Sequence, residues 1–284
     1  MRRQHYDISI NTHPQSRIHY RIIARAVAAP IRVSHVYENF GMLDRFLVNR
    51  VILQNYAVHT AEQNLALLPL IGAKVLLNEH SLEIFLSDSD EKWADDFLAS
   101  NNLAGRKILG IHAGSGGTKN LKLKRWPLEN YIELLRALKE QRPEITSVLF
   151  GGPDENEEIL KILEATGTPF AVQAATGNLL QAAALIKRCD GFLSVDTALM
   201  HLAAAMKARK QIVIEAPTLN ETNVPYGNPF TLIENPAVHG RNLDFYRYDG
   251  NGIQGTREEL EKCMSAVRPE DVLRILNVLI KVND

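Results

Sequence analysis

Cysteine, long apolar runs and net charge are all scarce in this sequence, and each scarcity excludes a class of protein. Cys189 and Cys263 are the only cysteines among 284 residues, too few for a disulfide framework or a cysteine metal cluster. No apolar run approaches the roughly 18 residues of a membrane span, and the first residues lack the apolar core of a signal peptide. The formal net charge is -1, whereas nucleic-acid-binding proteins carry a basic excess. We therefore expect a globular, cytoplasmic protein that binds no nucleic acid.

The first hundred residues have strand and helix patterns at irregular spacing. The patterns predict strands at 6–11, 31–36 and 82–86 and helices at 16–28, 40–53, 60–70 and 91–99. Arg17, Arg21 and Arg25 are spaced i, i+4, i+8 on the first helix, which predicts one basic face. A solvated helix face is the simpler interpretation of that spacing, and a binding surface is the alternative. The polar segment at 101–107 marks a change in composition and predicts a domain boundary there.

After that boundary, strands and helices alternate regularly. The patterns predict strands at 107–112, 145–150, 191–195, 210–216 and 230–235, with helices at 128–142, 155–165, 178–189 and 199–205. Asn178 is expected to cap one of these helices, and Pro269 is expected to begin the last one. Such βα alternation predicts a doubly wound parallel sheet.

Three predicted turns at carboxyl ends of strands carry groups suited to a phosphorylated ligand. They are HAGSGGTKNLKLKRWP at 112–127, FGGPDENEE at 150–158, and the turn into DTALMH at 196–201. Glycines and lysines suit an anion, and the acidic side chains can accept hydrogen bonds from sugar hydroxyls. Taken singly, the turn at 112–127 is only a weak signal, because Gly-rich loops are common. The turn at 150–158 also fits an acidic first turn of a helix, and the turn at 196–201 also fits an N-cap followed by a core histidine. Together they predict one crevice, because carboxyl ends of neighbouring parallel strands meet at one edge.

Five stretches of the chain, taken in order, resemble one known family. They are YDISINTHPQSR, HAGS…KRWP, FGGPDE, SVDTALMHLAAA and KCMSAVRPEDVLRIL. Together they resemble the family 9 glycosyltransferases, the lipopolysaccharide heptosyltransferases and their relatives. The resemblance implies an α/β GT-B fold of two Rossmann-like domains, the first incomplete here. It implies an acceptor-side domain at 1–103, a nucleotide-sugar-binding domain at 104–266, and a last helix at 267–284 that crosses back to the first domain.

The resemblance also implies an inverting, metal-independent transfer that needs no cofactor. Seven residues are then expected to bind the donor: Ser115, Thr118, Lys124, Glu155, Asp196, Thr197 and His201. Among them, Lys124 would hold the diphosphate, Glu155 the ribose and Asp196 the sugar hydroxyls. Cations and oriented N–H donors are the groups that a leaving diphosphate requires when no metal is present.

Two departures from the family pattern bear on catalysis. Ala198 stands where the family has glycine, and its methyl group would crowd a phosphate at the helix N-terminus. The resemblance also implies a first strand and a Gly-Asp loop that carries the family's candidate base, and we expect this chain to lack them. His13 is a weak candidate for that role, because a histidine after a strand is more often structural. We therefore expect the chain to be a poor catalyst or an inactive one.

The expected function is transfer of a sugar, in the first place heptose, from an ADP-sugar to a lipopolysaccharide core acceptor. The expected partners are that donor, that acceptor, and the inner face of the inner membrane, touched weakly through Arg17, Arg21 and Arg25. One alternative is a nucleotide-sugar-binding remnant without transferase activity. Another is an epimerase-like enzyme that acts on the nucleotide-sugar itself.

Overall fold

The structure is a computed structural model, in which the chain folds into two compact units. It describes residues 4–75, 80–115, 121–167, 169–218, 220–239 and 257–280. The first unit is built mainly on Met1–His80 and the second mainly on Ser81–Thr218. No helix among these described residues is long and apolar enough to cross a membrane.

The first unit contains a three-stranded parallel sheet with the order β1-β2-β3. Its elements are β1 (Ile8–Asn11), α1 (Ile18–Val27), β2 (Ile31–Val36), α2 (Asp44–Leu47), β3 (Arg50–Leu53) and α3 (Thr60–Leu65). The register places Ile8 beside Ile31 and Val33 beside Arg50. The parallel direction of every pair requires a crossover between consecutive strands, and α1 supplies the first of them.

Two predictions in this region are wrong. The helix predicted at 40–53 is instead the four-residue α2 followed by β3, because the β-branched residues of RVIL pair with β2. The strand predicted at 82–86 forms no ladder among the described residues. The side chains of this segment nevertheless alternate between two sides, since Ile84 and Leu86 pack on the core while Phe85 is exposed. Alternating burial shows which side of a segment faces the core, whereas a β-strand also requires a neighbouring strand to which it can hydrogen-bond.

The predicted basic face of α1 is wrong at its centre. Arg21 is fully buried, and it donates from Nε to Oδ1 of Asp44 at 2.5 Å and from Nη1 to the carbonyl of Ser16 at 2.7 Å. Arg17 and Arg25 are exposed. Arg21 can be buried because the carboxylate of Asp44 and the carbonyl oxygen of Ser16 compensate its charge.

The second unit contains a six-stranded parallel sheet with the order β6-β5-β4-β7-β8-β9. Its strands are β4 (Lys107–His112), β5 (Ile145–Phe150), β6 (Ala171–Gln173), β7 (Gly191–Ser194), β8 (Gln211–Ile214) and β9 (Phe230–Ile233). Its helices are α4 (Asp88–Ser100), α5 (Leu128–Gln141), α6 (Asn156–Thr166), α7 (Leu179–Ile186), α8 (Ala198–Ala205), α10 (Arg257–Cys263) and α11 (Pro269–Leu279). A short helix, α9 (Asn220–Asn223), belongs to the first unit. The predicted doubly wound sheet is confirmed.

The strand order creates a switch point next to β4. The chain proceeds from β4 through β5 to β6, and then returns to form β7, β8 and β9 on the other side of β4. Loops on either side of the β4–β7 pair therefore diverge, which opens a crevice at the carboxyl edge of the sheet.

Two helices outside the alternation complete the second unit. α4 precedes the predicted boundary at residue 103, yet it packs against α7. Just after α7, Arg188 donates to Glu91 and Asp95 of α4 at 2.7 Å. α11 packs against α5, and the indole of Trp126 donates to the carbonyl of Val267 at 2.7 Å. The KRWP and AVRPEDV stretches, far apart in sequence, therefore meet at a structural contact.

Candidate functional site

The candidate site lies in the second unit, at the carboxyl edge of the six-stranded sheet. A cavity of about 870 Å³ is present there, and residues that follow β4, β5, β6 and β7 line it. It lies at the switch point, the place where open α/β sheets bind ligands. The three turns singled out in the sequence do share one crevice.

An ion pair joins two of the predicted residues in the cavity wall. Nζ of Lys124 donates to Oδ2 of Asp196 at 2.7 Å, and the two side chains are 7% and 14% exposed. Lys124 ends the short 3-10 helix Leu121–Lys124, and Asp196 follows β7. Two charges are stable here because each compensates the other. An anionic ligand at this wall would compete with Asp196 for the ammonium group.

α8 begins beside this ion pair. Thr197 is its N-cap, and Oγ1 accepts a hydrogen bond from the N–H of Met200 at 3.3 Å. His201 lies one turn further on and lines the same cavity. Burial lowers the pKa of His201, Asp196 raises it by a smaller amount, and Lys124 lowers it again. The imidazole is therefore neutral at neutral pH, and the ammonium of Lys124 is the cation of this wall.

Glu155 is the centre of a second polar network in the cavity. Its Oε2 accepts from the N–H of Gly152 at 2.9 Å and lies 3.3 Å from Nε2 of His112. Its Oε1 lies 3.4 Å from Nη2 of Arg125. Nδ1 of His112 lies 3.0 Å from Oγ1 of Thr197, so this network extends to the cap of α8.

His112 and Arg125 belong to this polar network, although the sequence reasoning assigned neither of them a place among the donor-binding residues. Both belong to the motif at 112–127, whose glycines and lysines are the groups that suit an anion. A usable signal was present, since His112 is the last residue of β4 and polar residues at strand ends commonly face ligands. Arg125 also donates from Nε to Oγ of Ser115 at 3.1 Å, which ties the two ends of this motif together.

Gly114 is required by the close approach of Glu155. A Cβ atom at residue 114 would lie 1.8 Å from Oε1 of Glu155, far inside van der Waals contact. The glycine of HAGS therefore makes room for a carboxylate, which is a more specific role than turning backbone N–H groups towards an anion.

The structure brings together all the predicted donor residues that it describes. Six of them line the cavity: Ser115, Lys124, Glu155, Asp196, Thr197 and His201. Thr118 lies outside the described residues. Ala198 also lines the cavity as the first residue of α8, so its methyl group is close to the binding space. The ligand assigned to each residue stays a prediction.

The candidate base His13 lies in the first unit, just after β1. Its side chain is buried, Nδ1 lies 3.2 Å from the Tyr37 hydroxyl, and its backbone N–H donates to Oδ1 of Asn64 at 2.6 Å. Burial and the neighbouring His35 lower its pKa to about 4. A general base is most effective when its pKa lies near the working pH, so this environment favours a structural role.

Comparison with known proteins places the chain beside heptosyltransferases. Residues 1–244 match the family model of glycosyltransferase family 9 (heptosyltransferase). The chain is 30% identical over 161 residues to lipooligosaccharide heptosyltransferase 2 of Haemophilus influenzae. That alignment covers 55% of this chain and 43% of the relative, so it spans less than half the relative's length.

Solved structures show the same fold. The structure of E. coli ADP-heptose lps heptosyltransferase II matches with a TM-score of 0.68 and 21% identity, covering 98% of this chain and 77% of that one. E. coli heptosyltransferase WaaC, solved with ADP-2-deoxy-2-fluoro heptose, matches with a TM-score of 0.60 and 19% identity, covering 96% and 72%. The predicted GT-B class is confirmed.

Proposed function

The chain belongs to glycosyltransferase family 9, the heptosyltransferase family, and from this we propose that it moves heptose from ADP-heptose to a lipopolysaccharide core acceptor. One observation carries the proposal: a buried cation, two carboxylates and a capped helix N-terminus converge on the cavity at the switch point. The solved relative with ADP-2-deoxy-2-fluoro heptose supports the choice of donor.

Each of these protein groups suits the chemistry of one part of the donor. Lys124 and the N-terminus of α8 carry positive charge that suits the diphosphate. Asp196 accepts hydrogen bonds from sugar hydroxyls once a phosphate has drawn Lys124 away from it. Glu155 accepts hydrogen bonds from the ribose hydroxyls. Cleavage of the bond between the anomeric carbon and the diphosphate leaves negative charge on the departing ADP, and these oriented groups stabilise that charge. The proposal includes inversion at the anomeric carbon and independence from metal, as the family resemblance implies.

A second function, nucleotide-sugar binding without transfer, is favoured by one observation. The candidate base His13 has its pKa lowered to about 4, so at neutral pH it is too weak a base to accept a proton efficiently from an acceptor hydroxyl. In this alternative the cavity binds the donor, and the sugar stays on its diphosphate.

We also propose weak contact with an anionic membrane at the cytoplasmic face, through α1. Arg17 and Arg25 are exposed there, beside Ile18 and Ile22, which are 41% and 48% exposed. Basic residues near such a surface contribute about 1 kcal/mol each and are screened by salt. Charge reversal of Arg17 and Arg25 should abolish co-sedimentation with anionic vesicles at low salt. The matched control is charge reversal of Arg274, an exposed arginine on α11, and equal loss in that control would refute the assignment to α1.

Two measurements separate the proposals. Calorimetry with ADP tests the binding site, and turnover of ADP-heptose on a heptose-deficient core acceptor tests transfer. Binding with turnover supports the first function, and binding with background turnover supports the second. Absence of ADP binding at millimolar concentration would contradict both.

A further inference from the structure

His112 is a buried side chain that connects two donor-site residues. It ends β4 and is 5% exposed. Its Nε2 lies 3.3 Å from Oε2 of Glu155, 43 residues later, and its Nδ1 lies 3.0 Å from Oγ1 of Thr197, 85 residues later. One imidazole therefore links the segments that follow three different strands of the sheet.

The chemistry of the two partners determines which ring nitrogen carries the proton. An ionised carboxylate only accepts hydrogen bonds, so Nε2 must donate to Glu155. Oγ1 of Thr197 accepts the N–H of Met200, and its own hydrogen is available to donate to Nδ1. A neutral imidazole accepts at Nδ1 when it donates at Nε2. The hydrogen bonds therefore run in one direction, from Thr197 through His112 to Glu155.

This arrangement gives the carboxylate of Glu155 one orientation. His112 and the N–H of Gly152 both bind Oε2, and Gly114 is so close that a Cβ there would lie 1.8 Å from Oε1. Recognition of a ribose diol depends on acceptors held in fixed positions. We propose that His112 is a positioning residue that aims Glu155 at the ribose hydroxyls of the donor. This inference rests on the proposed function.

Two substitutions separate the two hydrogen bonds of His112. His112→Gln places an amide near the position of Nε2 and keeps a donor for Glu155. His112→Asn places an amide near the position of Nδ1 and keeps only the contact with Thr197. The readout is the dissociation constant of each variant for ADP, 2′-deoxy-ADP and 3′-deoxy-ADP. We expect His112→Asn to reduce the preference for ADP by roughly tenfold, about the effect of one charge-assisted hydrogen bond, and His112→Gln to retain most of it.

A merely structural role predicts a different result, namely lower thermal stability with the ribose preference unchanged. Ile108→Val, a buried substitution in the same strand, is the matched control and should leave that preference intact. An unchanged preference in His112→Asn, or an equal loss in Ile108→Val, would overturn the inference. Wild-type protein that binds ADP without ribose preference would also overturn it. Wild-type protein that binds none of the three nucleotides would instead refute the proposed function.

Nitrogen-15 NMR of the wild-type histidine side chains tests the same inference if neither variant folds. We expect Nε2 of His112 to carry a hydrogen-bonded proton and Nδ1 to accept a hydrogen bond. A proton on Nδ1 would reverse the direction of the network and overturn the proposal.

Discussion

Lys124 and Asp196 form one ion pair, yet under the proposed function their removal should change nucleotide affinity in opposite directions. Lys124→Met removes the cation that faces the diphosphate and preserves most of the side chain's length. Asp196→Asn removes a negative charge beside the same diphosphate and preserves the side chain's shape. Both side chains are largely buried, so the comparison is made within one environment.

The size of each effect follows from the contact. Loss of a charge-assisted contact to phosphate costs about 1.5–3 kcal/mol, a roughly ten- to hundredfold increase in Kd for Lys124→Met. In the structure Asp196 holds Lys124 at 2.7 Å, and a diphosphate has to displace it. Asp196→Asn weakens this competition, so ADP should bind more tightly, by up to roughly tenfold. Both variants should lose folding stability, because each removes one charge of a largely buried ion pair.

Calorimetric titration with ADP, combined with thermal unfolding of each variant, measures both effects. Lys161→Met is the matched control, since Lys161 pairs with Glu157 on the surface of α6 at 2.7 Å, and its ADP affinity should not change. If both members of the buried pair weaken ADP binding equally, the pair is a structural unit and the assignment of Lys124 to the diphosphate is refuted.

Three further predictions follow from single contacts. Gly114→Ala should weaken ADP binding by roughly tenfold or more, because the added methyl group displaces Glu155. Gly41→Ala is the control and should leave ADP binding unchanged, since a Cβ there would lie 3.9 Å from Oδ2 of Asp44. Arg21→Met should lower the free energy of unfolding in urea by about 3–5 kcal/mol, because it leaves a buried carboxylate unpaired. His13→Gln should reduce the loss of stability in acid. Burial and a neighbouring imidazole lower the wild-type pKa of His13 to about 4, so its contribution is complete above about pH 6.5 and is lost as the pH falls towards 4.

Each of these three predictions would be refuted by a specific observation. Unchanged ADP affinity in Gly114→Ala would show that Glu155 does not contact the nucleotide. An exposed arginine on the same helix, Arg25, supplies the control for Arg21, since Arg25→Ala should change stability by no more than about 0.5 kcal/mol. Equal effects at both arginines would contradict the buried ion pair. Identical pH profiles of unfolding for wild type and His13→Gln would show that His13 titrates normally.

Local chemistry along the sequence determined most elements of the second unit. The βα alternation predicted its parallel sheet, and the predicted cap Asn178 accepts the backbone N–H of Gln181. Such signals are reliable because a cap or an apolar stripe acts within one turn of the chain. The resemblance of five stretches was likewise sufficient to identify the family that the comparisons show.

Partners distant in sequence decided what local patterns could not. RVIL pairs with β2 and becomes a strand, whereas the segment at 82–86, with alternating burial, has no ladder among the described residues. Arg21 is buried because Asp44, 23 residues later, meets it. Its spacing alone predicted an exposed basic face. Strand pairing and burial of charge depend on what lies opposite, and that is a property of the tertiary structure.

The sequence by itself determined which residues would stand at the carboxyl ends of the strands, and hence which side chains would share the cavity. Only the tertiary structure decided how they pair there: Lys124 with Asp196 across 72 residues, and His112 between Glu155 and Thr197. Strand ends follow from local patterns, because a strand and its turn are short. Contacts within the cavity depend on the order of strands in the sheet, which places β4 between β5 and β7 and so brings three distant turns within hydrogen-bonding distance.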